Sequence, residues 1–247
     1  MASIAIIGGG PMGLAAAYQL LKQGHTVSLY EADKTLGGMS ASFEFDGIRI
    51  ERYYHFICKS DQPFFDLLRE LEIDHALRWA DTRMGYCYRG KLLNWGDPIA
   101  LLKFPGLGLI SKIRYGLLAF LSTKRSDWRR LDGIDAVTWL KRWVGESAYD
   151  ILWRPLFELK FHHYTPNLSA AWIWSRLKRI GTSRRNLLQE QLGYLQGGSD
   201  TFLNAIAQRI QSLGGSIHLE QGVQEVIVSG GQLTGIRTNT GSYQFDR

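Results

Sequence analysis

An α/β fold built on a parallel sheet and interrupted by a mainly helical insertion is predicted by three features of this 247-residue sequence. A short apolar strand at the N-terminus runs straight into a glycine-rich turn and then a helix. All eight tryptophans fall between Trp79 and Trp174, so the middle of the chain differs chemically from both ends. After residue 195 the pattern returns to a glycine pair, a helix and short β-branched strands.

Ser3–Ile7 is almost uniformly apolar, as expected of a strand buried on both faces of a parallel sheet. Gly8-Gly9-Gly10-Pro11-Met12-Gly13 follows and satisfies G-x-G-x-x-G; Leu14–Leu21 is a strong helix former, and Thr26–Tyr30 reads as a second strand. In this Rossmann-like arrangement Gly8 permits the tight turn, Gly10 lets backbone approach a pyrophosphate, and Gly13 lets the helix pack close to the sheet. The helix N-terminus offers free N–H groups and partial positive charge to the phosphates. Glu31 lies eighteen residues beyond Gly13, where a carboxylate accepts ribose hydroxyls. An acid there repels a 2′-phosphate, which makes NADP the least favoured dinucleotide. The fingerprint alone leaves FAD and NAD both open.

A second glycine pair, Gly37-Gly38, stands just after the acid in Glu31-Ala32-Asp-Lys-Thr-Leu-Gly-Gly-Met39-Ser40. Backbone can approach a ligand closely there, as a cofactor longer than an ADP moiety would require. Ile4–Ser42 resembles the flavin amine oxidase superfamily, which includes protoporphyrinogen oxidases, carotenoid desaturases and, more distantly, UDP-galactopyranose mutases. The resemblance implies FAD as cofactor and a binding domain of three-layer ββα character. It implies cofactor contacts at Gly8, Gly10, Pro11, Met12, Gly13, Glu31, Ala32, Gly37, Gly38 and Met39. Amine oxidases proper usually carry arginines near the pair, where this chain has Thr35 and Met39.

Asp46-Gly47 reads as a hairpin turn, and Arg52-Tyr-Tyr-His55-Phe56 follows it. The resemblance brings this region toward the flavin ring, making His55 a candidate catalytic residue; a core histidine with a satisfied hydrogen bond is the plainer alternative. Gln62–Leu71 carries a helical apolar stripe, Met84–Trp95 reads as a hairpin turning at Arg89-Gly90, and helices are expected near 111–122, 134–143, 147–153 and 168–179. The polar-aromatic run Phe157–Tyr164 invites a metal reading through His162-His163. Adjacent residues do not share a helix face, however, and no carboxylate or cysteine stands four residues from either, so no metal site is expected. Trp153–Trp172 resembles the family stretch that packs the substrate domain beside the flavin. On that basis Lys160 is a second catalytic candidate, against the alternative of a surface lysine snorkelling over aromatics.

Gln196-Gly197-Gly198 leads into a helix, and strands are expected at 216–219, 223–229 and 232–238, the last two joined by a turn at Ser229–Gln232. The family shows the same order, and Val223 holds the position whose main chain meets the adenine. The expected organisation is a cofactor domain in two parts, 1–60 and 196–247, around a helical substrate domain at 61–195. The resemblance implies further chain completing the substrate domain, so the sequence reads as an N-terminal half.

The net charge of +6 is concentrated in the middle: Lys103–Arg185 holds sixteen Lys and Arg against six Asp and Glu. Such a stretch can face an anionic substrate, a membrane surface or water. Cys58 and Cys87 match neither a disulfide framework nor a metal motif, which fits a reducing, cytoplasmic compartment. The N-terminus lacks the pattern of a signal peptide. Ile99–Leu121, the longest apolar run, is broken by Lys103, Pro105, Lys112 and Arg114, so a seat on the inner face of a membrane is open whereas a crossing is not expected. No nucleic-acid partner is expected, and the oligomeric state is not legible.

The leading expectation is an FAD-dependent oxidoreductase passing hydride from an organic substrate to flavin. The aromatic middle favours a small hydrophobic substrate such as a porphyrinogen or polyene. A flavin-dependent sugar mutase, an inactive FAD-binding fragment and an NAD dehydrogenase are the alternatives.

Overall fold

The computed structural model describes residues 1–247. The first part of the chain forms β1 (Ser3–Ile7), α1 (Pro11–Lys22), β2 (Thr26–Tyr30), β3 (Ser42–Phe45), β4 (Ile48–Glu51) and α2 (Gln62–Glu70). The middle forms β5 (Leu77–Thr82), β6 (Met84–Tyr88), β7 (Lys91–Trp95), α3 (Pro98–Lys103), α4 (Leu109–Lys124), α5 (Arg129–Asp132), α6 (Ala136–Val144), α7 (Glu146–Leu152), α8 (Arg154–Phe161), α9 (Ala170–Thr182) and β8 (Glu190–Leu195). The last part forms α10 (Ser199–Ser212), β9 (Ser216–His218), β10 (Val223–Ser229), β11 (Gln232–Thr238) and β12 (Ser242–Gln244). Two units result: Met1–Phe56 with Gln62–Arg78 and Tyr194–Arg247, and Ile57–Asp61 with Trp79–Gly193.

The first unit is built on a parallel sheet of order β1-β2-β9, with Ile4 opposite Val27 and Leu29 opposite Ile217. Strand periodicity puts Val27 and Leu29 on one face and Ser28 and Tyr30 on the other. Leu14, Ala17 and Leu21 of α1 and Phe202, Ile206 and Ile210 of α10 are buried, supplying the apolar stripes that helices turn toward a core. Tyr30 stacks on His218 with ring centroids 4.7 Å apart, and meets Tyr243 and Phe245 at 5.5 and 6.0 Å. These last contacts join the sheet to the antiparallel meander β10-β11-β12, giving the layers helix, parallel sheet and meander. Phe64 of α2 packs edge-on against Phe202 at 5.4 Å, and Tyr18 and Lys22 hydrogen-bond to Glu70. Gln62–Arg78 therefore groups with this unit and not with the helical one.

The second unit is helical apart from short strands. Asp97, Asp135 and Ser169 cap α3, α6 and α9, each accepting a first-turn N–H. Its core joins Leu118, Leu140, Val144, Phe157 and Ile173 to the rings of Phe104, Trp139 and Trp174. Arg89 and Gly90 both have positive φ, as the two-residue turn between β6 and β7 requires. Asp61 is held bidentately by Arg179, at 3.1 Å from Nε and 2.6 Å from Nη2, and accepts the Cys58 N–H at 2.9 Å. Burial pushes the Asp61 carboxyl up, but these hydrogen bonds and the guanidinium charge outweigh it and hold the group below the usual carboxylate range. Both cysteines are free; Cys58 is buried, and that burial raises its thiol. No helix is long and apolar enough to cross a membrane.

Candidate cofactor site

The site lies in the first unit, at the carboxyl ends of β1 and β2. Gly8 turns the chain out of β1 with φ +100°, in the region that L side chains avoid. Gly10 is the N-cap of α1; it has no side chain to cap the helix, and Pro11 fills the first helical position, where no N–H is needed. A Cβ built on Gly8 or Gly10 meets no protein atom within 4 Å, so the backbone faces open space. A Cβ on Gly13 would instead overlap the Gly8 carbonyl oxygen, because helix and turn are in contact there. Met12, in the first turn, is 86% exposed.

The Glu31 carboxylate is fixed by backbone. Its Oε2 accepts the Gly9 N–H at 2.6 Å and its Oε1 the Asp33 N–H at 2.8 Å. Each oxygen keeps a further lone pair for a ligand hydroxyl. The second glycine pair docks on the first loop: the Gly37 N–H donates to the Gly9 carbonyl at 2.9 Å, and a Cβ on Gly38 would lie 3.5 Å from the Gly10 Cα. Gly37 has φ +114°, and a side chain there would collide with Ala41 and Leu203. Met39 follows, 68% exposed. Beyond Glu31 the chain runs beside the segment leading to β10: Gln221 N–H donates to the Glu31 carbonyl at 2.9 Å, and Gly222 sits against Ala32. Val223 begins β10 there, opposite Thr238. One edge of the unit thus gathers Gly8, Gly10, Gly13, Gly37 and Gly38 with Glu31, Ala32, Met39 and Val223.

These features fit the ADP portion of FAD. Two glycines leave room where a methyl would stand, an uncapped helix end faces that room, and an oriented carboxylate lies beside it.

Arg52 is a member of the site that motif reading does not reach. Its Nη2 donates to Asp33 Oδ2 at 2.6 Å and its Nη1 to the Gly38 carbonyl at 3.4 Å. The Arg52 hydrogen bond, followed by that from the Lys34 N–H, holds the Asp33 carboxyl below the usual range. A guanidinium therefore stands at the glycine pair although Thr35 and Met39 supply none. The only sequence signal is an arginine at the end of a hairpin.

His55 lies close by, with Nε2 3.4 Å from Ser40 Oγ and Nδ1 3.5 Å from Glu51 Oε2. Glu51 Oε1 in turn accepts both the N–H and the hydroxyl of Ser199 at 2.7 Å, placing a carboxylate at the positive end of α10. Lys160 belongs to the second unit. It is exposed on α8, with Nζ 5.6 Å from the Trp172 ring centroid and 5.9 Å from that of Phe161. His162 and His163 lie in a short 3₁₀ turn, where the His163 ring meets Tyr164 at 4.0 Å; no group of three or more His, Cys, Asp or Glu is arranged to hold a metal.

Comparison with known proteins agrees with this geometry. Zeta-carotene desaturase of Arabidopsis thaliana is 27% identical over 248 residues, covering 91% of this chain and 44% of the plant protein. Mitochondrial protoporphyrinogen oxidase of Nicotiana tabacum is 27% identical over 223 residues, covering 83% of this chain and 43% of that protein. The chain thus spans less than half the length of either relative. The crystal structure of an oxidoreductase from Methanosarcina mazei has the same fold, with a TM-score of 0.71 at 20% identity over 99% of this chain and 57% of that one. The family model described as flavin containing amine oxidoreductase matches residues 13–247, and the chain belongs to that family.

Proposed function

We propose that this chain is the cofactor-holding part of an FAD-dependent oxidoreductase acting on a small, largely apolar organic molecule. FAD is the cofactor that family membership implies. The observation that carries the reading is the pairing of open backbone at Gly8 and Gly10 with the Glu31 carboxylate held by two N–H groups. The α1 N-terminus takes the pyrophosphate, Glu31 takes the ribose hydroxyls, and main chain at Val223 takes the adenine edge. Gly37 and Gly38 let the cofactor pass toward Arg52 and His55. Bound FAD supplies a two-electron acceptor for hydride from a substrate carbon. His55, oriented by Ser40 and Glu51, is assigned to the substrate side of the flavin, and Lys160 to the substrate-binding region. A peripheral seat on a membrane suits an apolar substrate, and a separate surface of the second unit carries that part of the reading.

The direct test is the visible absorption spectrum of the purified chain, with chromatography of any cofactor released by heat. Released FAD, or uptake of added FAD with a flavin spectrum, is the expected result; a colourless chain that takes up none overturns the reading. Glu31→Gln gives a sharper measure. The isosteric amide turns an NH₂ toward either the Gly9 or the Asp33 N–H, so donor meets donor. A loss of about 2 kcal/mol, roughly thirtyfold in FAD affinity, is expected in a flavin-fluorescence titration.

A further inference from the structure

We propose that the exposed face of α4 docks on an anionic phospholipid bilayer, so that the second unit lies on the membrane without crossing it. A surface helix ordinarily turns its apolar stripe inward and its polar residues to water. In α4 a second apolar stripe faces outward, in addition to the Leu118 and Tyr115 contacts with the core. Ser122 is 3% exposed on the inner side, whereas Leu109, Ile110, Ile113, Leu117, Phe120 and Leu121 are each between 39% and 74% exposed. At 3.6 residues per turn these six positions cover an arc of about 120°. Lys124, the last residue of the helix, is the only other residue within that arc. The inner face is already occupied: Leu118 is buried, the Trp174 indole donates to the Ser122 carbonyl at 3.0 Å, and Arg114 donates to the Trp143 carbonyl at 2.7 Å. Ile99 and Leu102 of α3 extend the patch, tied to it by the Lys112 ammonium, which donates to the Leu102 carbonyl at 2.7 Å.

Charge selects the occupant. From Pro98 to Ser126 the sequence contains no Asp or Glu, while Lys103 and Lys112 stand toward one end of the stripe and Lys124 and Arg125 at the other. A second copy of the chain would set cations against cations in either orientation of the two helices. A surface of phospholipid phosphates takes the apolar arc into its acyl boundary and meets the cations at both ends. At sixteen residues α4 is about 24 Å long, shorter than the hydrocarbon core, which agrees with a helix lying in the interface.

The test is co-sedimentation of the chain with vesicles of phosphatidylcholine alone and of phosphatidylcholine with phosphatidylglycerol in equal parts. The chain is expected to partition into the mixed vesicles, less so as salt rises. Combining Ile113→Ser, Leu117→Ser and Phe120→Ser should lower that partition by about a hundredfold. FAD uptake should be unchanged, because α4 is no part of the cofactor site. Lys112→Glu with Lys124→Glu leaves the apolar arc intact and should cut partition into the mixed vesicles by about thirtyfold or more. Failure to sediment with either vesicle overturns the proposal, as does a partition that neither variant alters. A concentration-dependent dimer that the serine variant dissolves, without vesicle binding, overturns it in favour of a second copy. FAD uptake is read separately, so failure of this surface is distinguishable from failure of the cofactor reading.

Discussion

Gly13→Ala is expected to destabilise the first unit by about 3 kcal/mol and to abolish FAD uptake, whereas Gly10→Ala should change stability by less than about 1 kcal/mol. The two glycines share a motif but meet different surroundings. A methyl at position 13 strikes the Gly8 carbonyl oxygen, which belongs to backbone and cannot rotate away, so α1 must lift from the turn. A methyl at position 10 meets no protein atom within 4 Å, and the backbone there, at φ −72°, is one that alanine adopts freely. The Gly10 variant should therefore unfold close to the parent when cofactor-free, yet bind FAD about thirtyfold more weakly, because the methyl occupies the room left for the pyrophosphate. Circular dichroism melts with and without FAD separate the two effects. Equal losses of stability at both positions would mean that Gly10 serves packing and that the open space beside it is not a ligand site.

Arg179→Ala should cost the second unit about 3 kcal/mol near neutral pH, since it leaves a half-buried Asp61 carboxylate with only the Cys58 N–H and the Ser60 hydroxyl as partners. The pH dependence follows from the direction of the Asp61 shift. Its carboxyl lies below the ordinary value in the folded protein, so its contribution is complete above the unfolded value of about 4 and is lost as pH falls through the folded value. The penalty of Arg179→Ala should shrink in the same window, because a protonated Asp61 no longer needs a cation. Asp61→Asn should remove this part of the acid sensitivity. Every tryptophan lies in the second unit, so urea unfolding followed by tryptophan emission reports on that unit alone. An Arg179→Ala penalty that persists undiminished in acid would assign the arginine's role to packing instead.

The parts of the molecule that could be read from sequence are those whose physics is local. β1, its glycine turn and α1 are contiguous, and each requirement falls on a particular residue type: β-branched side chains for the buried strand, glycine for the turn, alanine and leucine for the helix. The hairpins at Asp46-Gly47 and Arg89-Gly90 were legible for the same reason, since a two-residue turn demands positive φ. β5, β8 and β12 gave no such signal: β5 and β8 take their definition from each other across more than a hundred residues, and β12 is only three residues long. α8 opens on Arg154-Pro155 and contains aromatic residues whose packing, not their spacing, decides the conformation. At the site, the glycines and Glu31 carry a motif. Arg52 and the hydrogen bonds that Ser199 donates to Glu51 do not, because the latter join residues 148 positions apart and many other pairings would have satisfied the same chemistry. Grouping α2 with the first unit depends likewise on Phe64 finding Phe202.

The parallel sheet has a consequence for synthesis on the ribosome. Ser28 and Ser216, hydrogen-bonded side by side in β2 and β9, are separated by 188 residues, so β2 waits for its neighbour for roughly ten to forty seconds of translation. Throughout that interval one edge of β2 has no strand to pair with, while the whole of the second unit emerges and can complete its own contacts. The nascent protein therefore carries an adhesive open strand until β9 emerges from the exit tunnel. Slowing elongation within the tryptophan-rich middle should lengthen that exposure and increase engagement by holdase chaperones.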